Sequence, residues 1–345
     1  MIGKYFASPW PPGTVGMSEE EILGVAGEAS ELLSANLARA EQISAGFLNE
    51  AVAIPAVTTA IDQCLARLAS TDVWGPTNRL PSGRLWELAG EHLQHGALLH
   101  RARFKPRGYA GDDVMLRQIC ENWRCEHPLG RLLDHYFQSH AAPKAVRNRT
   151  QIVADALVDM VRQPGDSTVR VSSIGSGPAM DITWACEVLS PAERNRVRVQ
   201  LLDLDPQALA EAAARLEKWL PAANVTPRRE NLYRLARLGE AAAIEADLIA
   251  CTGFFDYLND ADAAALLGLL WRQLAPGGRL IVFNFSPDNG SRALMEWIGN
   301  WYLTYRDRSA MHDLAVSAGI PKELFAISAE AEGIDLFIDA RKPPE

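Results

Sequence analysis

The sequence predicts an α/β chain in two parts: an all-α stretch over residues 1–164, then a doubly wound, mostly parallel sheet over residues 165–345. Three observations predict it. From residue 169 onward, short apolar runs alternate with amphipathic helical stretches, the pattern of parallel strands with helices on both faces. Residues 169–180, VRVSSIGSGPAM, read as an apolar strand delivering the turn Gly175-Ser176-Gly177-Pro178 to a helix start near Ala179. Before residue 165, apolar residues recur at helical spacing and no strand-like run stands out.

Composition narrows the function. At 345 residues and 48% hydrophobic, the chain can bury a large core. A net charge of −9 speaks against a nucleic-acid surface, which draws on clustered Lys and Arg. The cysteines (Cys64, Cys120, Cys125, Cys186, Cys251) are scattered without a C-x-x-C pair, which fits reduced thiols in the cytoplasm. The start of the chain reads as no signal peptide, and no later stretch reads as apolar enough to span a bilayer. The expected partner is a small-molecule substrate, with a homodimer through the helical part as a further expectation.

In the helical part, Ser18 and Glu21 make a capping box before Ile22, Val25, Ala26, Ala29 and Leu33. A second run (Val57, Ile61, Cys64, Leu65, Leu68) follows Pro55, residues 71–83 read as a loop, and a third helix begins near Arg84. His92 and His95 share a face of that helix. No carboxylate–cysteine set accompanies them, so no metal is expected. The loop 104–113, FKPRGYAGDD, holds Tyr109 and Asp112 at a helix entrance. Asp112 reads equally as an N-cap or as part of a lid over a ligand. Arg147 and Arg149, in AVRNRT, are either solvated charges at a helix start or a carboxylate grip.

In the sheet part, a nicotinamide-type turn would place a small residue where Met180 stands, and Pro178 reads as the first residue of the helix. The second strand ends in LLDLDP. Asp203 is placed to accept ribose hydroxyls, and Asp205 to cap the next helix. Asn231 and Leu232 follow the third strand, where a side-chain amide can meet a purine. The fourth strand runs into Thr252-Gly253-Phe254-Phe255-Asp256-Tyr257, a stretch suited to packing a flat ligand, with one of the two phenylalanines in the core. The run LAPGGRLIV ends a helix and opens a buried strand. Residues 324–329 and 334–340 read as a terminal hairpin, a departure from the plain dinucleotide fold.

In that order, IGSGP, LLDLDP, LAPGGRLIV and the hairpin resemble the class I S-adenosylmethionine-dependent methyltransferases over residues 165–345. That family commonly has an acid two residues before the first glycine; here it is Ser173. A narrower resemblance rests on RGYAGD, AVRNR, GFFDYL, NFSPDN and MEWIGNWYLTYR. These are similar to bacterial enzymes of 3-hydroxypalmitic acid methyl ester biosynthesis, a group that includes azetidine-2-carboxylate synthases. The resemblance implies S-adenosylmethionine bound by Ser173, Gly175, Ser176, Gly177, Asp203, Asn231, Leu232, Thr252, Gly253 and Phe254. It singles out Tyr109, Asp112, Arg147, Asn148, Tyr257, Trp301 and Tyr305 without assigning roles; the catalytic candidates are Tyr109, Asp112, Asn148 and Tyr257, and the candidate substrate contacts are Arg147, Arg149, Trp301 and Tyr305.

Two reactions fit, and both attack a carbon next to a sulfonium. Methyl transfer to a carboxylate, such as that of a 3-hydroxy fatty acid, needs no strong base. It needs a cation and an apolar groove, for which Trp297, Trp301, Tyr302 and Tyr305 on a late helix are candidates. Cyclisation of S-adenosylmethionine to azetidine-2-carboxylate with release of 5′-methylthioadenosine needs a neutral amine, and Ser173 in place of an acid is compatible with that. A non-catalytic S-adenosylmethionine-binding protein is the third reading.

Overall fold

The computed structural model describes residues 17–45, 50–165, 167–238 and 246–344. The chain divides into two compact units. The first holds residues up to Gly111, Asn122–His140 and Gly290–Tyr302; the second holds Asp112–Glu121, Ala141–Asn289 and Leu303–Glu345. The sequence boundary at 164/165 falls inside the second unit.

The first unit is helical: α1 (Glu19–Ala45), α2 (Glu50–Ala69), α3 (Arg79–Leu93), α4 (Ala97–Phe104) and α6 (Pro128–Ser139). The predicted capping box forms, with the Ser18 amide donating to Glu21 at 2.6 Å and the Glu21 amide to Ser18 Oγ at 3.3 Å. Leu33, Leu37, Ile61, Leu68, Leu85, Leu93 and Leu98 bury the apolar faces. Helix α4 has no cap of its own. The buried Asp134 supplies one, accepting from the Leu98 amide at 2.9 Å, and also accepts from the Cys125 amide at 2.9 Å.

Several expectations are corrected here. α3 begins at Arg79, because Pro81 falls in its first turn where no amide is needed, and a 3₁₀ turn fills Gly75–Asn78. Helix α2 starts before Pro55, which lies inside it. It is also long and apolar enough to cross a membrane by length and composition, contrary to the sequence reading, although its Asp62 accepts from Tyr136 at 2.7 Å within the helical unit.

The second unit is a seven-stranded sheet in the order β3-β2-β1-β4-β5-β7-β6. The strands are β1 (Val169–Ile174), β2 (Val197–Asp203), β3 (Val225–Arg229), β4 (Ala246–Cys251), β5 (Leu274–Phe285), β6 (Phe325–Ala329) and β7 (Asp335–Arg341). The first five are parallel, and β7 inserts antiparallel between β5 and β6. Apolar runs such as LIVFNF in β5 are buried on both faces, as covered parallel strands must be. One face packs on α7 (Ala141–Val161), α8 (Met180–Val188) and α10 (Pro206–Leu216). The other packs on α11 (Leu232–Leu238), α12 (Asp260–Gln273) and α13 (Arg308–Ser317). The remaining helices are α5 (Asp113–Cys120) and the short α9 (Pro191–Asn195). This is the Rossmann-like class I methyltransferase sheet with its terminal antiparallel hairpin.

Two further local corrections follow. Pro178 precedes α8 rather than opening it: Ala179 takes φ +50°, and the helix begins at Met180. The predicted late helix carrying the aromatics does not form. A single π-helical turn, Leu294–Ile298, is followed by Asn300 at φ +49° and extended chain to α13.

Arg306 holds the end of this stretch in place. Its buried guanidinium donates to the carbonyls of Phe255 (3.0 Å) and Leu258 (2.7 Å), to Asn284 Oδ1 and to Asp260 (2.9 Å). Arg306→Met strands these acceptors and is expected to lower the unfolding free energy by about 3 kcal/mol, measured by urea denaturation.

Candidate functional site

The strand order reverses between β1 and β4, where parallel sheets open a crevice at their carboxyl ends. The glycine turn sits there. The amides of Gly175 and Ser176 donate to Leu202 O at 2.8 and 3.0 Å, tying the turn to β2. Gly175 has φ +63°, and a Cβ on it would come within 3.3 Å of Phe254 Cβ and 3.6 Å of Leu232. Gly177 has φ +46°, and its amide donates to Asp203 Oδ2 at 2.9 Å. Asp203 Oδ1 accepts from the Asp205 amide at 3.0 Å, and Asp205 caps α10 as expected. Burial holds the Asp203 carboxyl above its usual range, opposed by these amide bonds. Each carboxylate oxygen keeps a second lone pair for a hydroxyl.

These residues fit an adenosyl ligand. The turn brings bare backbone between two apolar side chains, Leu232 and Phe254, and an acid stands at the end of β2. Ser176 Oγ is buried without a hydrogen-bond partner, a polar atom left for something the protein does not itself supply. Ser173 is buried at the end of β1. Phe255 is the core member of its pair, and Phe254 stays half-buried, with Tyr233 edge-on at 4.9 Å. Asn231 Oδ1 accepts from the Arg234 amide at 3.1 Å in the first turn of α11, and Leu232 lies beside the glycine turn.

Beneath the loop after β4 lies a buried ionic cluster. Arg149 Nη1 donates to Asp335 Oδ2 at 2.9 Å and lies 3.8 Å from Asp256 Oδ2. Its Nη2 is 3.0 Å from where a Gly253 Cβ would sit, so the bare glycine backbone lets the loop lie close on the guanidinium. Two carboxyls share one cation out of water. Burial pushes Asp256 up to about 6, and it pushes Asp335 well above the usual carboxylate range. Arg149 is thus matched within the protein rather than solvated. Asn148 donates to Glu330 Oε2 at 2.7 Å, and Glu330 accepts from the amides of Glu332, Ile334 and Asp335. Arg147 donates to Ile119 O at 3.3 Å. The AVRNR stretch therefore sits mid-helix in α7 and anchors the β6–β7 turn and α5.

Asp112 is the N-cap of α5, accepting from the Met115 amide at 2.9 Å. Leu116, one turn on, lies 3.6 Å from the position of a Gly177 Cβ. Tyr257 closes the 3₁₀ turn Phe255–Tyr257, its amide donating to Phe254 O at 3.1 Å. Tyr305 belongs to the sheet unit, whereas Tyr109, 38% exposed, and the buried Trp301 belong to the helical unit. Leu116, beside Gly177, and Tyr233, beside Phe254, are neighbours of the turn that sequence reasoning missed, because neither contact is local in the chain.

Among the histidines, His92 Nδ1 lies 3.2 Å from Glu41, and His95 Nε2 lies 3.8 Å from it. Glu41, His95 and His127 come within reach of a shared ion. The His95 and His127 rings, however, stack 3.9 Å apart with planes 2° from parallel, so no point lies in both ring planes. His127 Nδ1 also accepts from the Gly130 amide at 3.2 Å, which leaves the proton on Nε2.

The sheet order and this crevice define the class I methyltransferase fold. No protein-family model matches the chain, and no curated protein matches it. Among solved structures, the CurJ carbon methyltransferase superposes with a TM-score of 0.51 at 14% identity, covering 94% of this chain and 93% of that one. A Bordetella parapertussis protein described as a possible exported protein superposes with a TM-score of 0.52 at 18% identity, covering 79% of this chain and 100% of that one.

Asp181 gives a pH test. Burial raises its carboxyl to about 6, above the 3.8 of a solvated aspartate. A raised carboxyl contributes stability below its unfolded pKa and loses it as pH climbs through the folded value. Asp181→Asn keeps the oxygen that accepts from the Ile182 amide. It is expected to raise the unfolding free energy by about 3 kcal/mol at pH 7.5 and to leave it unchanged near pH 4, read by chemical denaturation at both values.

Proposed function

We propose that the chain binds S-adenosylmethionine at the glycine turn and consumes it, transferring a methyl group to the carboxylate of a small organic acid such as a 3-hydroxy fatty acid. The observation that carries the reading is the turn itself. Gly175 and Gly177 take positive φ between Leu232, Phe254 and Asp203, and Ser176 Oγ is left without a partner. The sulfonium supplies an electrophilic methyl carbon, whose bond to sulfur breaks as the acceptor oxygen bonds to it. The chain's own part is positional. Asp203 accepts the ribose hydroxyls, Leu232 and Phe254 flank the base, and the loop Thr252–Tyr257, held down by Arg149, sets the floor. A carboxylate acceptor is already ionised near neutral pH, so no catalytic base is required; alignment and exclusion of water do the work.

A second reading, cyclisation to azetidine-2-carboxylate, is favoured by one observation. Ser173 stands where an acid would hold the methionine ammonium charged, and the buried acids Asp256 and Asp335 face Arg149 instead. A neutral amine is what that reaction needs.

Asp203→Ala is expected to weaken S-adenosylmethionine binding by about 2 kcal/mol, roughly thirtyfold, in calorimetry; unchanged affinity refutes the site. Mass spectrometry of the enzyme with S-adenosylmethionine separates the reactions. S-adenosylhomocysteine that forms only when a 3-hydroxy fatty acid is added supports methyl transfer. 5′-Methylthioadenosine forming without any acceptor supports cyclisation.

A further inference from the structure

The helical unit contains a second polar centre that the cofactor reading does not use. It forms where residues 290–302 pack on α3 and α4. Lys105, in the left-handed conformation at φ +48°, closes α4 and the π-helical turn together. Its ammonium donates to the carbonyls of Ala102 (2.9 Å), Gly299 (3.2 Å) and Asn300 (2.9 Å). Two guanidinium groups gather beside it. Arg103 donates to Ser82 Oγ at 2.6 Å and lies 5.4 Å over the Trp86 ring. Arg79 lies 5.7 Å from the Tyr302 ring centre and hydrogen-bonds its phenol, which donates to Asn78 Oδ1 at 2.7 Å.

The charges here do not balance. Among the described residues no carboxylate pairs with Arg79, Arg103 or Lys105. Glu296, the acid that acts on Tyr302, is taken by Arg292 at 2.8 Å and by the Gly75 amide at 2.5 Å. Burial and the two arginines push Lys105 down to about 8. This surplus of cations stands in a protein of net charge −9. Hydrogen-bond donors are also in surplus. Asn78 Nδ2 and Trp297 Nε1 are buried without partners on residues that are fully enclosed. Cations without a carboxylate partner call for an anionic acceptor, and the guanidinium fork matches the two oxygens of a carboxylate. Beside Arg103, Trp86 meets Phe104 edge-on at 5.3 Å, and Phe104 is 56% exposed, which offers an apolar wall next to the charge.

We propose that Arg79 and Arg103 form a binding site for a small organic carboxylate whose apolar body rests on Trp86 and Phe104. The site does not depend on the cofactor reading.

The test uses the full chain with 4-fluorobenzoate as the probe, followed by ¹⁹F NMR and calorimetry at pH 7. Saturable binding at one site per chain is expected. Arg79 is exposed, so Arg79→Met should keep the melting temperature while weakening the probe about tenfold. Arg103→Met should weaken the probe to a similar extent through the second fork. No saturation up to about 10 mM, or equal affinity in the folded Arg79→Met variant, overturns the proposal. So does inorganic phosphate binding as tightly as 4-fluorobenzoate, since that would reflect bare charge with no use of the apolar wall. S-adenosylmethionine affinity, measured on the same samples, is expected to be unchanged in Arg79→Met and reports separately on the glycine turn.

Discussion

Arg149 is buried between Asp335 and Asp256, and much of the sheet unit is arranged to make that tolerable. A guanidinium taken out of water costs several kcal/mol unless its charge and hydrogen bonds are met. The chain meets them from three places: α7 supplies the cation, β7 supplies Asp335, and the loop after β4 supplies Asp256. Asp256 in turn accepts from the Phe285 amide at 2.8 Å, and its carbonyl accepts from the Thr304 amide at 2.7 Å. The loop carrying Gly253 and Phe254 is therefore fixed from below by charge, while β1 and β2 fix the glycine turn from the side. The crevice thus has an ionic floor and backbone walls.

The same cluster explains why the terminal hairpin matters to the site. β7 contributes its antiparallel ladder to β5, but its first residue is Asp335, and the turn before it is gripped by Asn148 through Glu330. A feature that reads as a topological signature is also the source of one of the two counter-charges.

What the sequence made legible was local. The strand–turn–helix at residues 169–180, the acid ending β2, the Asp205 cap and the Ser18–Glu21 box each follow from a few adjacent residues, and each is found in place. Partners far apart in the chain were not legible. Arg149 and Asp335 are 186 residues apart, and no periodicity links them, so Arg149 read as a surface charge or a substrate grip. The aromatic spacing of residues 297–305 imitated a helix, but the π-helical turn and the left-handed Asn300 break it. Asn231 follows β3 as read, and its oxygen accepts in the first turn of α11.

Residues 290–302 leave the sheet unit after β5, build part of the helical unit and return before α13. With the crossings at 111/112, 121/122 and 140/141, the polypeptide passes between the two units five times. Each unit has its own apolar core, yet neither is a contiguous piece of chain. Trp297, fully enclosed in the helical unit, is covalently tethered at both ends to strands and helices of the other. Losing the sheet unit pulls on that tether from both sides, so the two cores share their fate on unfolding more closely than domains joined by one linker.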